Sequence, residues 1–415
     1  MRVLLIGSGA REHALAYSLK SDASVSELHV APGNPGISSL ATLHPVKADD
    51  PQSVAALAQE INAELVIIGP EAPLVAGVAD AIRALGIPCF GPSKVAAQLE
   101  GSKSFAKEIM ASAGVPTAQS MTCTTQSEIE NALDTFGAPY VVKNDGLAAG
   151  KGVVVTTDRA EAISHALACG KVVIEEYLDG PEISLFGISD GKTVIGMEPA
   201  QDFKRAYDGD AGPNTGGMGA YSPLPWAPAD IISRTEKEVL LPTINAMAQR
   251  GTPFVGLLYA GLALTSRGIR VIEFNARFGD PESEVLLPRL RTPLAQLLLA
   301  AATGNLADHP PLQWSDQGAV TIVLASEGYP ENPQVGRAVT GVTESSDAIV
   351  FHAGTVFEDG QLRSAGGRVL AVTGLGADLA TARANGYRAL AQISIPGSHY
   401  RKDIALAASI AQKEV

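Results

Sequence analysis

Strand and helix signals alternate through the first hundred residues of the chain. Short apolar runs such as RVLLIG, ELHVAPG and AELVIIGPE are typical of buried strands, and the segments between them carry helical patterns. Strands separated by helices form a parallel sheet with both faces covered. Ligands bind such a sheet where its strands end, so we expect a binding site near GSGAREH, APGNPG, GPEAPL and FGPS.

The composition is that of a globular enzyme rather than a nucleic-acid or membrane protein. The formal net charge of −13 over 415 residues disfavours non-specific nucleic-acid binding, which needs a basic surface. No apolar run approaches the length of a membrane span, and the first is too short for a signal peptide. Cys89, Cys123 and Cys169 lack metal-ligand spacing and are too few for a disulfide framework, which predicts buried thiols in a reducing cytoplasm.

Three domains are predicted along the chain. The N-terminal parallel α/β domain covers residues 1–101, a core covers 102–315 with a smaller subdomain at about 117–185, and a β-rich domain covers 316–415. The stretch EGSKSFAKEIMASAG predicts a helix with Ser102 as its N-cap and Gly114 as its end. In the last domain, Asp359-Gly360 is typical of a two-residue hairpin turn.

The stretch VVKNDGLAAGKGVVV, residues 141–155, is a glycine-rich loop between two valine-rich runs. Its glycine spacing is one residue too short for a P-loop, and Gly152 replaces the Ser or Thr that binds magnesium there. We interpret it as a hairpin whose backbone N–H groups close over phosphate oxygens, with charge from Lys143 and Lys151. A flexible hairpin with solvated lysines is the alternative.

Two later segments favour a nucleotide and a metal. KVVIEEYLDGPEISL predicts a strand ending in residues 175–178, whose backbone could recognise an adenine edge, with Glu182 near the ribose; a solvated strand end is the alternative. In VIEFNARFGDPE, strand periodicity places Glu273, Asn275 and Arg277 on one face. A carboxylate and an amide oxygen two residues apart suit Mg²⁺, and the arginine suits a bidentate anion.

These segments together resemble the ATP-grasp fold and, more closely, the glycinamide ribonucleotide synthetase family. The resemblance runs in order along nearly the whole chain, through GSGAREHAL, VAPGNPG, VIGPEAPLV, EGSKSFAK, VVKNDGLAAGKGVVV, VIEEYLDGPEIS, QDFKR, GPNTGGMGAYSP, VIEFNARFGDPE and GGRVL. It implies an α/β architecture with a Rossmann-like parallel-sheet domain, an ATP-grasp core of two α+β subdomains and a β-rich C-terminal domain. It also implies that ATP phosphorylates the carboxylate of glycine and that the amine of 5-phosphoribosylamine displaces the phosphate, in the second step of purine synthesis.

The resemblance assigns residues to ATP and to a metal, either Mg²⁺ or Mn²⁺. Lys103 and Lys143 would contact the phosphates, and Glu273 and Asn275 would bind the metal. The closing flap would contain Asp145, Gly146, Gly150, Lys151 and Gly152. The adenine hinge and the ribose contact would be Glu175, Glu176, Tyr177, Leu178 and Glu182.

The resemblance also assigns residues to the other two substrates. The reacting carboxylate would lie against Asn214, Gly216, Gly217 and Arg277. Glycine and 5-phosphoribosylamine would contact Gly9, Asn34, Pro70, Glu71, Asp202, Lys204, Thr215, Met218 and Arg277. We expect only these small molecules as partners, with no nucleic acid and no membrane, and a monomer rather than a dimer.

Three other readings of the sequence are weaker. Gly7-Ser8-Gly9 suggests a nicotinamide oxidoreductase, but Glu12 replaces the third glycine of that fingerprint and APGNPG lacks the acid that binds a ribose. The Glu273 and Asn275 pair disfavours a non-catalytic nucleotide sensor. QDFKR and GPNTGGMGAYSP disfavour an ATP-grasp ligase with another acid substrate. We expect His13 to pack or to cap a helix rather than to act in catalysis.

Overall fold

The computed structural model describes residues 1–147, 152–343 and 345–412. Gly150 and Lys151 of the predicted flap lie outside the described residues. Within the described ranges, no helix combines the length and the apolar character needed to cross a bilayer.

The first hundred residues form the predicted parallel sheet. Its elements are β1 (Arg2–Gly7), α1 (Ala10–Ser21), β2 (Glu27–Pro32), β3 (Thr42–Leu43), α2 (Pro51–Glu60), β4 (Leu65–Ile68), α3 (Glu71–Ala76), α4 (Val78–Ala84), β5 (Cys89–Phe90) and α5 (Gln98–Gly101). The strand order is β3-β2-β1-β4-β5, and every pairing is parallel. The order reverses at β1, so the carboxyl ends of β1 and β4 border the crevice where such sheets bind ligands.

A small antiparallel sheet with its own apolar core follows. Its elements are α6 (Lys103–Ala113), β6 (Ser120–Cys123), α7 (Gln126–Phe136), β7 (Tyr140–Asn144), β8 (Val153–Thr156), α8 (Arg159–Cys169) and β9 (Val172–Glu175), with strand order β6-β9-β7-β8. Ser102 caps α6 by accepting a hydrogen bond from the Phe105 amide, and Gly114 ends it in the left-handed conformation at φ 67°. Both predicted ends of this helix are confirmed.

A second antiparallel sheet carries the predicted metal ligands. The elements from here to residue 302 are β10 (Glu182–Asp190), β11 (Val194–Gly196), β12 (Gln201–Asp202), β13 (Arg205–Tyr207), β14 (Ala211–Asn214), β15 (Gly219–Ser222), α9 (Ile231–Thr235), α10 (Leu241–Gln249), β16 (Val255–Thr265), β17 (Gly268–Asn275), α11 (Ser283–Leu286) and α12 (Leu294–Ala302). The sheet order is β11-β10-β16-β17. Glu273 and Asn275 thus lie at the carboxyl end of an edge strand.

The last sheet combines strands from both sides of residue 316. The remaining elements are β18 (Gly318–Ala325), β19 (Ala348–His352), β20 (Thr355–Glu358), β21 (Gln361–Ser364), β22 (Arg368–Gly376), α13 (Leu379–Leu390) and α14 (Leu406–Ala411). The sheet order is β12-β15-β18-β22-β19, so β12 and β15 join the C-terminal strands. β20 and β21 form the predicted hairpin, and Asp359 and Gly360 turn with φ of 50° and 73°.

Two buried histidines connect the N-terminal sheet to the C-terminal segment. His13 on α1 accepts a hydrogen bond at Nδ1 from the His352 amide at 2.8 Å, and its ring packs edge-on against Phe351. His13 therefore packs, as its sequence context predicts. Burial and the neighbouring His352 lower the pKa of His13 to about 3, and burial lowers the pKa of His352 to about 4.

This contact makes the stability of the protein pH-dependent. Because the folded state keeps both rings neutral, the unfolded chain binds more protons below pH 6.5, so stability is full above that pH and falls as the pH drops toward 4. Each histidine contributes up to ~1.4 kcal/mol per pH unit in this window. His13→Gln keeps an acceptor for the His352 amide. It should reduce the slope of the unfolding free energy against pH, between pH 6.5 and 5, by the equivalent of about one bound proton.

Denaturant unfolding at several pH values measures this slope. His309→Gln is the matched control, because the ring of His309 hydrogen-bonds only its neighbour Pro310. An unchanged slope in His13→Gln would contradict the assignment.

Candidate active site

One cavity of about 470 Å³ lies between the N-terminal sheet, the two antiparallel sheets and the start of β22. Its wall contains residues from all parts of the predicted site. These are Glu71, Lys103, Lys143, Gly152, Glu175, Glu176, Tyr177, Leu178, Glu182, Asp202, Lys204, Asn214, Thr215, Gly216, Glu273, Asn275 and Arg277. The fold therefore brings together residues that are far apart in the sequence, such as Glu71 and Arg277.

Two lysines share one carboxylate at the small-sheet end of the cavity. Glu175 lies 2.8 Å from Nζ of Lys143 and 2.9 Å from Nζ of Lys107, and it is almost fully buried. Lys143 also donates to the backbone oxygen of Ile272 at 2.9 Å, which ties the small sheet to β17. Burial lowers the pKa of Lys107, and Glu175 opposes the shift. Two ammonium groups on one carboxylate give this cluster of three side chains a net positive charge.

In the predicted adenine hinge, the backbone is available to a ligand and the carboxylates are engaged by other residues. The Glu175 carboxylate is held by lysines, and Oε1 of Glu176 accepts from the Gln119 amide and contacts Arg267, both at 3.0 Å. Tyr177 is half exposed at the mouth. Further along the wall, Glu182 lies 2.6 Å from the Lys204 ammonium, which lowers the pKa of Glu182 against the effect of burial.

The predicted metal pair lies between the lysines and the partly buried Arg277. Glu273 and Asn275 both reach the cavity wall from β17. Lys103 lies nearby at the start of α6 and donates to the Gly146 oxygen at 3.2 Å; burial lowers its pKa, and Glu273 acts in the opposite direction. A carboxylate oxygen and an amide oxygen beside lysines are the donor set that Mg²⁺ shares with phosphate ligands.

Arg277 joins this strand to the N-terminal sheet. Its Nη2 lies 3.0 Å from Glu100 and 3.4 Å from the amide oxygen of Asn275, and its Nε makes a 3.3 Å ion contact with Glu71 without hydrogen-bond geometry. Although burial opposes it, Arg277 with Arg11 lowers the pKa of Glu71. For Glu100, burial outweighs Arg277 and the pKa is raised.

The glycine-rich loop over residues 214–219 differs from the prediction. We expected its backbone amides to face the reacting carboxylate, but the amides of Thr215, Gly216, Gly217 and Met218 all donate within the protein. Their acceptors are Lys204 O, Tyr329 Oη, Thr215 Oγ1 and Phe203 O, at 2.7, 3.0, 3.0 and 2.7 Å. In this arrangement the loop contributes shape to the wall, and its amide donors are already engaged.

The turn after β1 is also occupied by a side chain. The amides of Ser8 and of Gly9, the latter a predicted substrate contact, donate to Glu12 Oε2 at 3.1 and 2.6 Å. Glu12 is buried and also pairs with Arg11. A Cβ at Gly9 would lie 3.0 Å from this carboxylate and 3.6 Å from Asp280, which lines the cavity. Gly9 therefore lets the turn pack closely behind the cavity wall, although Gly9 itself does not line the cavity.

Other predicted residues lie behind the wall and support it. Asn34 is buried and donates to Ser8 O and His352 O at 2.9 and 2.8 Å, so its amide joins N-terminal and C-terminal segments. Met218 is fully buried in the core. Asp145 accepts from the Ser104 amide and the Lys171 ammonium, at 2.6 and 2.9 Å, and so fixes the start of α6. Gly146, Gly217 and Pro70 adjoin wall residues without lining the cavity.

The sequence-based prediction missed several wall residues. They include Arg11, Glu100, Lys107, Tyr259, Asp280, Glu282 and Arg368. Tyr259 donates to Glu282 at 2.6 Å and bonds Ser184 at 2.7 Å, a buried polar cluster under the wall. Lys107 follows Lys103 by one helical turn, a spacing that predicts the same helix face and could have revealed it. Arg368 is the arginine of the GGRVL motif, but nothing in this motif indicates its distant partner Asp280.

The chain matches three models of one protein family. These are the phosphoribosylglycinamide synthetase N domain over residues 1–100, its ATP-grasp (A) domain over 101–283 and its C domain over 319–407. A phosphoribosylamine–glycine ligase of Streptomyces coelicolor is 62% identical, with 99% of this chain and 100% of that protein covered. One of Leifsonia xyli is 54% identical, with 98% and 99% covered.

Solved structures show the same fold. The crystal structure of a phosphoribosylamine–glycine ligase from Thermotoga maritima matches with a TM-score of 0.85 at 33% identity, covering 98% of this chain and 100% of that one. A biotin carboxylase domain from Hydrogenobacter thermophilus, solved with MgADP and bicarbonate, matches with a TM-score of 0.72 at 16% identity, covering 96% and 91%, and shows the fold alone. By its family models and its full-length relatives, the chain belongs to the phosphoribosylglycinamide synthetase family.

Proposed function

We propose that the chain ligates glycine to 5-phosphoribosylamine at the expense of ATP, giving glycinamide ribonucleotide, ADP and phosphate in purine biosynthesis. The full-length relatives that carry this name support the reaction. The observation that carries it to this chain is one cavity that combines four lysines, a carboxylate–amide pair on one strand and the crevice of the parallel sheet. We propose that the protein acts as a monomer in the cytoplasm.

ATP would bind across the small sheet and β17. The apolar wall and the backbone at residues 175–178 would take the adenine, and Glu182 the ribose, because the hinge carboxylates are engaged elsewhere. Lys103 and Lys143 would contact the phosphates, where the excess of positive charge lies. The residues fit Mg²⁺ or Mn²⁺: Glu273 and Asn275 would bind it, and it would neutralise charge on the transferring phosphoryl group.

The wall residues position the reactants, and none needs to act as a nucleophile. The glycine carboxylate would attack the terminal phosphate of ATP to form glycyl phosphate, and the amine of 5-phosphoribosylamine would displace that phosphate to form the amide. Such a reaction is accelerated mainly in two ways. The cavity positions the three reactants, and its cations stabilise the charge on the transferring phosphoryl group.

Glycine would lie between the phosphates and the N-terminal crevice. Asp202, Lys204, Thr215 and Arg277 line that part of the wall. Burial raises the pKa of Asp202 to about 7 although Lys204 opposes it, so a nearby ammonium group would favour its charged form. We propose that 5-phosphoribosylamine occupies the end lined by Glu71 and Arg368, beside the turn that contains Gly9.

Phosphate release is the direct test of the reaction. It should require ATP, glycine and 5-phosphoribosylamine together, and alternative amino acids in place of glycine should give little release. ATP consumption that is independent of 5-phosphoribosylamine or equally fast with another acid would contradict the proposed substrates.

The first prediction concerns the metal pair. Glu273→Gln keeps the shape of the side chain but removes a charged metal ligand, so kcat should fall on the order of 100-fold at ordinary Mg²⁺. Steady-state rates across a Mg²⁺ titration measure this, with circular dichroism to check folding. Glu108→Gln is the control, because Glu108 pairs with Arg250 on the surface. Near-normal activity of Glu273→Gln would contradict metal binding at this residue.

The second prediction concerns the shared carboxylate. Within the part of the chain that the structure describes, Lys107→Met leaves Glu175 with Lys143 as its only ammonium partner. Lys143 is then held more tightly and is less available to a phosphate. The KM for ATP should rise about tenfold, which corresponds to ~1.4 kcal/mol, while the KM for glycine stays near its original value. Initial rates with each substrate varied in turn measure both constants.

Lys47→Met is the control for the loss of a lysine, because Lys47 is an exposed residue outside the cavity wall that pairs with Asp49. If Lys107→Met changes the KM for glycine as strongly as the KM for ATP, the lysine supports the fold of the whole cavity and not the phosphate site.

A further inference from the structure

The Gly216 peptide is held from the C-terminal segment by two side chains. Its N–H donates to the hydroxyl of Tyr329 at 3.0 Å, and its carbonyl accepts from Nη1 of Arg368 at 2.7 Å. Gly216 itself lines the cavity, whereas Tyr329 does not. The N–H of this wall residue is therefore held from outside the cavity by a residue more than a hundred positions away in the sequence.

Tyr329 and Arg368 form one unit. The ring of Tyr329 covers Gly367, where a Cβ would overlap the ring carbons, and Arg368 follows directly in β22. Arg368 also contacts Asp280, with its Nη1 2.9 Å from both the carboxylate Oδ1 and the backbone oxygen. A Cβ at Gly216 would lie 3.0 Å from the guanidinium carbon. Glycines at 216 and 367 thus allow the loop, the ring and the guanidinium to pack together.

Among the amides of residues 215–218, that of Gly216 has a distinct acceptor. The amides of Thr215, Gly217 and Met218 donate to acceptors at residues 203–215, close to the loop itself. The amide of Gly216 depends on the Tyr329 hydroxyl. Without that oxygen, the Gly216 N–H would have to turn toward another acceptor, and the wall formed by the loop would change shape.

We propose that Tyr329 is a positioning residue that fixes the Gly216 loop against the substrates glycine and 5-phosphoribosylamine. It acts through the Gly216 amide and the backbone before Arg368, without touching a substrate. The lysines and the hinge that would bind ATP lie on other elements, so the effect should be confined to the two other substrates. The inference rests on the proposed function for the identity of those substrates.

Tyr329→Phe tests the proposal because it removes only the hydroxyl. We expect kcat/KM for glycine and for 5-phosphoribosylamine to fall about tenfold, with the KM for ATP within about twofold of the original value. Tyr387→Phe is the matched control, since the Tyr387 hydroxyl likewise accepts from a backbone amide, that of Ile404, away from the cavity. Unchanged constants in Tyr329→Phe, or an equal change in all three substrates, would overturn the proposal.

Gly367→Ala is a second variant that keeps the hydroxyl but displaces the ring. It should give the same separation between the constants for ATP and those for the other two substrates. If Gly367→Ala impairs all three substrates alike while Tyr329→Phe has no effect, the hydroxyl does not position the loop.

Hydrogen exchange separates this proposal from the proposed function. Peptides that contain Gly216 should exchange faster in Tyr329→Phe than in the original protein, and Tyr387→Phe should not change them. This readout needs no substrate, so faster exchange without ligase activity of the original protein would overturn the reaction and keep the positioning role. Unchanged exchange, with ligase activity intact, would overturn the positioning role alone.

Discussion

The arrangement of the cavity depends on the ion pairs of Arg277, whose guanidinium is largely withdrawn from solvent. A cation removed from water must be paired, and Arg277 is paired with carboxylates from the N-terminal segment, Glu71 and Glu100. Glu100 in turn accepts from the Ala276 amide at 2.7 Å, directly beside the arginine. The end of β17, which carries Asn275, is thereby fixed to the carboxyl edge of the parallel sheet. Removing either carboxylate would weaken the pairing of this partly buried charge, so the two segments are coupled.

A second tie of the same kind lies at the other end of the cavity. Lys143 on β7 reaches both Glu175 on β9 and the backbone of Ile272 on β17. The small sheet is therefore connected to the strand that carries the predicted metal ligands by one ammonium group. Because the small sheet has its own apolar core, its position over the cavity depends on polar contacts such as this one more than on continuous packing. A charged ligand that enters the cavity can also replace such polar contacts with contacts to itself.

The sequence allowed the fold to be predicted where local chemistry determines it. Alternating strand and helix patterns, the Ser102 cap and the Asp359-Gly360 turn depend on neighbours in the chain, and each was confirmed. The pairing of β15 with β18 depends on residues a hundred positions apart, and no local pattern indicates it. For the same reason, the motifs identified most of the cavity wall but not how the polar groups within it are engaged. The amides of Ser8 and Gly9 after β1 are an example. The sequence shows that Glu12 follows them, but it does not show that Glu12 accepts hydrogen bonds from both.

The placement of carboxylates divides the cavity into two electrostatic regions, although the chain as a whole is acidic. Near the small sheet, Lys107 and Lys143 share Glu175, so this cluster carries more positive than negative charge. Near the parallel sheet, Arg277 and Arg368 each contact carboxylates of their own, so the charges there are close to balanced. A triphosphate gains most in the first region, where its charge meets cations that are not fully compensated. In the second region the phosphate of 5-phosphoribosylamine would share the guanidinium groups with these carboxylates, and the amines of the two other substrates would meet carboxylates already in place. The overall charge of −13 therefore says little about this site, because the local ratio of cations to carboxylates changes across a single cavity.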